Sequence, residues 1–270
     1  MVERSSSRLR GIRWYARSRA SEHAPYLAFA RRRYESATID RDTQLVIEGF
    51  PRSASTFATV CFQMAQPSPV RVAHHLHAPA QIVEAVRRET PVLVTVRHPR
   101  DAAISCVIRE PYVPLGWALD VYARFYEALS SHAAGVVFAR FEHVTTNFPA
   151  VTGELNERFG TRFDAGVHDD GGVERCFRLI DLRARGGARA RYINRYMSGL
   201  IDLSELEEAL EGVSDEPAVG VPEHRVARPS SARSVDRESL LRQYEQPDLA
   251  KVRSRAERAY AAAVESGSSD

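Results

Sequence analysis

Apolar residues in this chain fall into short continuous runs separated by longer stretches with helical spacing. Runs at 45–47, 70–73, 92–96 and 136–139 are rich in Val, Ile and Leu, as expected of parallel strands covered on both faces. Helical patterns follow them at 56–65, 79–88, 101–108, 115–131 and 148–159. Pro79 opens one helix at a favoured first-turn position, and Asp101 suits the start of the next. Strands alternating with helices predict an α/β fold with a doubly wound, mostly parallel sheet. Ligands on such sheets sit beyond the C-terminal strand ends. That rule selects the loops 49–56, 74–79 and 97–101.

The two ends of the chain read differently. Residues 1–41 have loosely helical apolar spacing and predict a basic N-terminal helical extension, with a single α/β domain over 42–265. Beyond 165 the pattern is harder to read: the pairs Gly171-Gly172 and Gly186-Gly187 interrupt it, and arginines crowd 183–195. A polar helix is expected over 202–211, a Pro- and Ser-rich loop over 214–233, and a terminal helix pair over 236–265, so helices flank the sheet at both ends of the chain.

Composition narrows the class. Hydrophobic residues make up 44% and charged residues 27%, enough apolar surface for a core and too much for a disordered chain. No run approaches the roughly 18 apolar residues that cross a bilayer, so no stable membrane insertion is expected. The start is arginine-rich where a signal peptide needs an apolar stretch. Cys61, Cys106 and Cys176 are odd in number and lack C-x-x-C spacing, which suits a reducing, cytoplasmic setting.

Net charge is +2, yet Lys251 is the single lysine among 37 basic residues. A cation at a site is therefore mostly a guanidinium, whose planar fork suits phosphate or sulfate. A GC-rich genome explains the bias without a functional cause. Residues 1–41 hold ten arginines against Glu3, Glu22, Glu35 and Asp40. Helices of that charge either lie on an anionic surface or pack, solvated, against the domain.

The loop at 49–56 carries the first chemical signal. A Walker-type phosphate loop reads G-x-x-x-x-G-K-[ST] between a strand and a helix. Here those positions read Gly49-Phe50-Pro51-Arg52-Ser53-Ala54-Ser55-Thr56, with Ala and Ser where Gly and Lys belong. Loss of that lysine removes the main β/γ-phosphate partner and disfavours an ATPase or GTPase. The helix N-terminus remains an anion site. Arg52, Ser53, Ser55 and Thr56 suit a small tetrahedral anion that needs no metal.

Pro51 through Phe57 resembles the P-[KR]-S-[GA]-[TSN]-T-[WF] loop of sulfotransferases that use 3′-phosphoadenosine-5′-phosphosulfate (PAPS). The resemblance implies that Arg52, Ser53, Ala54, Ser55, Thr56 and Phe57 hold the 5′-phosphosulfate. Arg97-His98-Pro99-Arg100-Asp101-Ala102-Ala103-Ile104-Ser105 is similar to the family's R-[ND]-P-[KR]-D-x-x-x-S. It implies that Arg97 and Ser105 grip the cofactor's 3′-phosphate.

Between the two motifs stands His74-His75-Leu76-His77. Sulfuryl transfer to a hydroxyl needs a base, and histidine titrates near neutrality. Relatives carry a K-T-H-L-P-like segment here, and aligning His-Leu-His on His-Leu-Pro favours His75 over His77. A histidine cluster also suits zinc, but no acidic ligand lies near it in sequence. The resemblance covers 44–160. Relatives carry a late R-K-G-x-x-G-x-W segment for the 3′-phosphate, and 226–233 here lacks its glycines and tryptophan. Arg228 and Ser230 stand in its place, and a basic surface loop is an equal reading.

The resemblance thus implies a sulfotransferase with His75 and Arg52 as catalytic residues and adenosine 3′,5′-bisphosphate as product. Its acceptor is a hydroxyl or amine of a small molecule or glycan, and neither a metal nor a nucleic acid is expected. The alternative is a P-loop small-molecule kinase using ATP and Mg²⁺. Neither the acceptor nor the oligomeric state is written in the sequence.

Overall fold

The computed structural model describes residues 2–213 and 232–267. Four strands, β1 (Leu45–Gly49), β2 (Val72–His74), β3 (Val92–Val96) and β4 (Val137–Arg140), form one sheet in the order β2-β1-β3-β4. All three pairings are parallel, with Ile47 opposite His74 and Leu93, and Thr95 opposite Gly49 and Ala139. The fold is the expected α/β architecture, a parallel sheet flanked by helices.

Alternation along each strand splits the core in two. Val46, Val92, Val94, Val96 and Phe138 join one apolar cluster, and Leu45, Ile47, Leu93, Val137 and Ala139 the other. The first is covered by α2 (Pro25–Arg33), α4 (Pro79–Arg87), α5 (Pro99–Arg109), α6 (Leu115–Glu127) and α13 (Ala250–Gly267). Against the second lie α3 (Ser55–Ala65), α8 (Phe148–Phe159), α9 (Asp170–Arg185), α10 (Gly187–Met197) and α11 (Leu203–Gly212). Burial on both faces explains why the strands read as continuous apolar runs.

Strand order sets the site. The chain moves from β1 to β2 on one side, then back across β1 to β3 and on to β4. Connections leave β1 and β3 in opposite directions, so the switch point lies between these neighbours. Gly49 belongs there for steric reasons: a Cβ on it would sit 2.3 Å from Thr95 Oγ1 and 2.7 Å from the Thr95 carbonyl.

The ends of the chain are helical. α1 (Val2–Ala20) packs on α6, where the Tyr15 hydroxyl donates to Asp120 Oδ2 at 2.7 Å, and Arg124 of α6 donates from Nε to Glu22 Oε1, in the turn that follows α1, at 2.7 Å. The terminal pair is α12 (Ala232–Tyr244) and α13. Most of the expected loop at 214–233 lies outside the described residues. No described helix is long and apolar enough to cross a membrane.

The stretch beyond 165 is more ordered than its pattern suggests. Asp169 caps α9 by accepting from the Gly172 amide at 2.7 Å, so Gly171 and Gly172 lie in a first helical turn, while Gly186 (φ 81°) separates α9 from α10. A short helix, α7 (Phe141–Thr146), follows β4 unforeseen. Cys61 and Cys176, far apart in sequence, bring their Sγ atoms to 3.4 Å between α3 and α9 as free thiols.

Candidate active site

Two of the selected loops flank the switch point and the third adjoins them. After β1 the chain turns through Phe50–Ala54, with Arg52 (φ 73°) and Ala54 (φ 72°) left-handed. Such backbone costs a non-glycine residue roughly 1–2 kcal/mol and concentrates at functional sites. α3 then begins at Ser55 with no side chain capping its first turn. The opening amides of a helix have no intrahelical acceptor, which makes this end a receptor for an anion.

Arg52 links the first loop to the third. Its Nε donates to Ser105 Oγ at 2.9 Å, and its carbonyl accepts from Arg97 Nη1 at 3.1 Å. Arg52, Arg97 and Ser105 thus form one cluster. The Arg97 guanidinium lies 4.2 Å from the centre of the Phe141 ring, and burial lowers its pKa. His98 caps α5 by accepting from the Arg100 amide, which starts the helix at Pro99, ahead of the expected Asp101. Asp101 pairs with Arg237 of α12 at 2.7 Å, closer than its contact with Arg100 at 3.7 Å.

Sequence reasoning missed the supports beneath these loops. Tyr122 of α6 donates to the Arg97 carbonyl at 2.6 Å, and Tyr126, one turn on, donates to the Thr95 carbonyl at 2.9 Å. The Tyr126 hydroxyl also meets the Phe50 amide at 3.5 Å, beside the buried Ser53. Phe50 packs edge-on against Tyr122 at 5.1 Å. Their signal is two tyrosines at i, i+4 on the buried side of an amphipathic helix.

The histidine segment leaves the strand at once. β2 ends at His74, and both His75 (φ 62°) and His77 (φ 52°) are left-handed, so strand alternation does not continue. The rings of His75 and His77 nevertheless meet at 4.7 Å. His75 Nδ1 lies 3.3 Å from Thr56 Oγ1, joining this loop to the first. His77 Nδ1–H donates to the Gly49 carbonyl at 2.7 Å, and buried His74 touches Ser198 Oγ through Nε2 at 3.1 Å.

Glu48, fully buried in β1, holds this loop from below. Its carboxylate accepts from the amides of Leu76 at 2.8 Å and His77 at 2.9 Å, and from Gln81 Nε2 at 3.0 Å. Burial, only partly opposed by those hydrogen bonds, pushes its pKa up to about 8. The acid absent from the local sequence is thus present in space, with its oxygens turned to backbone amides.

The histidines sit in a cationic surround. Burial, then Arg183 of α9, lowers His74 to about 3, and burial also lowers His77 to about 4. His75 is driven well below its ordinary value by burial first, then by Arg183, its two histidine neighbours and Arg109. Arg183 donates from Nε to Asn194 Oδ1 at 2.6 Å and is itself lowered to about 10 by burial and Arg109. Arg109 did not stand out in the sequence, and Arg183 did so only as the first of the arginines crowding 183–195.

The remaining expected positions divide. Phe57 is buried against Phe177 at 5.4 Å and His168 at 6.4 Å, in the core under α9. Arg228 and Ser230 lie outside the described residues. No group of three or more His, Cys, Asp or Glu side chains among the described residues is arranged to hold a metal ion.

No family model matches the chain, and no curated protein does. Among solved structures it is similar to that of mouse sulfotransferase SULT7A1 complexed with PAP. The identity is 14%, coverage is 81% of this chain and 90% of that one, and the TM-score is 0.38.

Proposed function

We propose that the protein is a sulfotransferase that moves a sulfuryl group from PAPS to a hydroxyl or amine of a small molecule or glycan. The observation that carries this reading is the junction of two motifs in one residue: Arg52 meets Ser105 through its side chain and Arg97 through its carbonyl, beside an uncapped helix start. Forked guanidinium donors, a hydroxyl and open amides suit a ligand bearing several phosphate-like groups.

PAPS would supply the activated sulfuryl group. In this reading Arg97 and Ser105 hold its 3′-phosphate. Arg52 and the first amides of α3 donate to the oxygens on which charge develops during transfer. His75 takes the acceptor proton at Nε2, while its Nδ1–H donates to Thr56 Oγ1 and fixes the ring. His77 is held in the same way, Nδ1–H to the Gly49 carbonyl, and is the alternative base; His75 is preferred because its tie is to Thr56 of the anion-binding turn. The acceptor then approaches from the side of α9, where Arg183 stands near the histidines.

Titration calorimetry with adenosine 3′,5′-bisphosphate, 5′-AMP and ATP·Mg²⁺ tests the reading. The bisphosphate should bind tightest, and Arg97→Ala should weaken it about tenfold to a hundredfold while barely changing 5′-AMP, as loss of a charged hydrogen-bond partner predicts. Equal affinity for the bisphosphate and 5′-AMP overturns the reading, and preference for ATP·Mg²⁺ turns it to the kinase.

A further inference from the structure

Only five large apolar side chains stand exposed among the described residues, and three of them lie on the first two helices: Leu9 (58% exposed) and Ile12 (45%) on α1 and Phe29 (56%) on α2. Leu9, Ile12, Arg13, Ala16 and Ala20 follow helical spacing and form a solvent-facing stripe. The stripe runs into an open groove of about 460 Å³ lined by Arg17, Ala20, His23, Pro25, Tyr26 and Phe29.

Charge on this face has one sign. Arg8, Arg10, Arg13, Arg17, Arg31, Arg32 and Arg33 are exposed around the stripe. Glu22, the single acid between residues 7 and 33, is turned inward onto Arg124 and Arg19. The face is also rigidly mounted. Gly11 lies against the Tyr112 carbonyl, where a Cβ would come to 2.5 Å, Tyr15 stacks on Trp117 at 5.1 Å, and Arg17 donates to Tyr26 at 3.0 Å.

An apolar patch rimmed by charge marks an interaction site, and the two components together select its partner. Phosphate groups alone, as on a nucleic acid, would use the arginines and leave Leu9, Ile12 and Phe29 without a role. An anionic lipid surface uses both, with acyl boundary for the apolar stripe and headgroups for the guanidiniums. We propose that the α1–α2 face is a peripheral docking surface for an anionic phospholipid bilayer.

This surface borders the histidine loop. The Ser21 carbonyl accepts from the Ala80 amide at 3.1 Å, and Ser18, Ser21 and Glu22 share a small cavity with His77 and Pro79. The inference does not depend on the reaction proposed above.

Flotation of the full chain with phosphatidylcholine vesicles, with and without phosphatidylserine, tests it. Binding should require phosphatidylserine and fall with added salt. The triple variant Leu9→Ser, Ile12→Ser, Phe29→Ser should lose at least about tenfold in partitioning at unchanged charge. Because all three side chains are exposed, its thermal unfolding should match the parent. Three outcomes overturn the proposal: no preference for anionic vesicles, a triple variant that partitions as well as the parent, or a self-association that the triple variant abolishes. Tighter binding to duplex DNA than to the vesicles, unaffected by the triple substitution, reassigns the face to nucleic acid.

Discussion

Four of the five left-handed non-glycine residues among the described residues lie in two loops, Arg52 and Ala54 after β1, His75 and His77 after β2. The loops share their strain and differ in what holds them. At 75–77 Glu48 satisfies two amides, and the His77 ring is tied to Gly49, so the loop is closed by groups internal to the fold. At 50–54 the ties come from Arg97, Ser105 and Tyr126 across the switch point, and the first turn of α3 has no side-chain cap. One loop is finished without a ligand, and the other leaves donors for one. That contrast fits a fixed base beside an anion-binding turn.

The largest expected effect separates the two neighbouring imidazoles. His75→Ala should lower turnover about a hundredfold to ten-thousandfold, the range of general-base catalysis, with bisphosphate affinity nearly intact. His77→Ala should act first on stability, because it frees the Gly49 carbonyl. Since burial and Arg183 depress His75, the acid limb of kcat/KM should lie below the ordinary histidine value of 6.5 instead of on it. A larger turnover loss in His77→Ala, at matched stability, would move the base two residues along.

Glu48 gives the next test. Glu48→Ala strands two amides and Gln81, and should cost about 3 kcal/mol or more in urea unfolding. Glu48→Gln isolates the charge. The native carboxyl titrates near 8 against 4.5 when unfolded, so its contribution is full below 4.5 and lost as pH rises toward 8. The histidines run oppositely: His74 and His77, lowered to about 3 and 4, contribute above 6.5 and lose that as pH falls. Between pH 4.5 and 8 the parent should lose stability relative to Glu48→Gln. A constant difference across that window would mean that Glu48 is ionised throughout.

This contrast was half visible in the sequence. β3 matches its apolar run from Val92 to Val96, and α8 matches 148–159, since both are defined by burial alone. β1 runs two residues past its apolar run because Glu48, polar and buried, serves the neighbouring loop from within the strand. The resemblance of two short motifs marked Arg52 in one and Arg97 with Ser105 in the other, and folding brings the three together. Spacing is blind to Glu48 under the histidines, Tyr122 and Tyr126 under the loops, and Arg183 on α9, because those contacts are made by folding. The glycine pairs misled for a local reason: the Asp169 cap carries the first of them into a helix.

The smallest expected effect tests whether the strain in the open loop is retained for binding. Ala54 has φ 72° and ψ 16°, a conformation that glycine adopts without the Cβ penalty. Ala54→Gly should relieve roughly 1–2 kcal/mol of that penalty and lose about half of the gain to the greater freedom of the unfolded chain. A net stabilisation near 1 kcal/mol corresponds to a rise in Tm of about 2 °C for a domain of this size. The same freedom loosens the turn that aims the first amides of α3, so bisphosphate affinity should fall, by about threefold, as Tm rises. A variant that gains stability with no loss of affinity would show that the left-handed turn at 54 contributes nothing to the ligand. The two β-strand loops would then differ only in how they are tied, and not in what they are for.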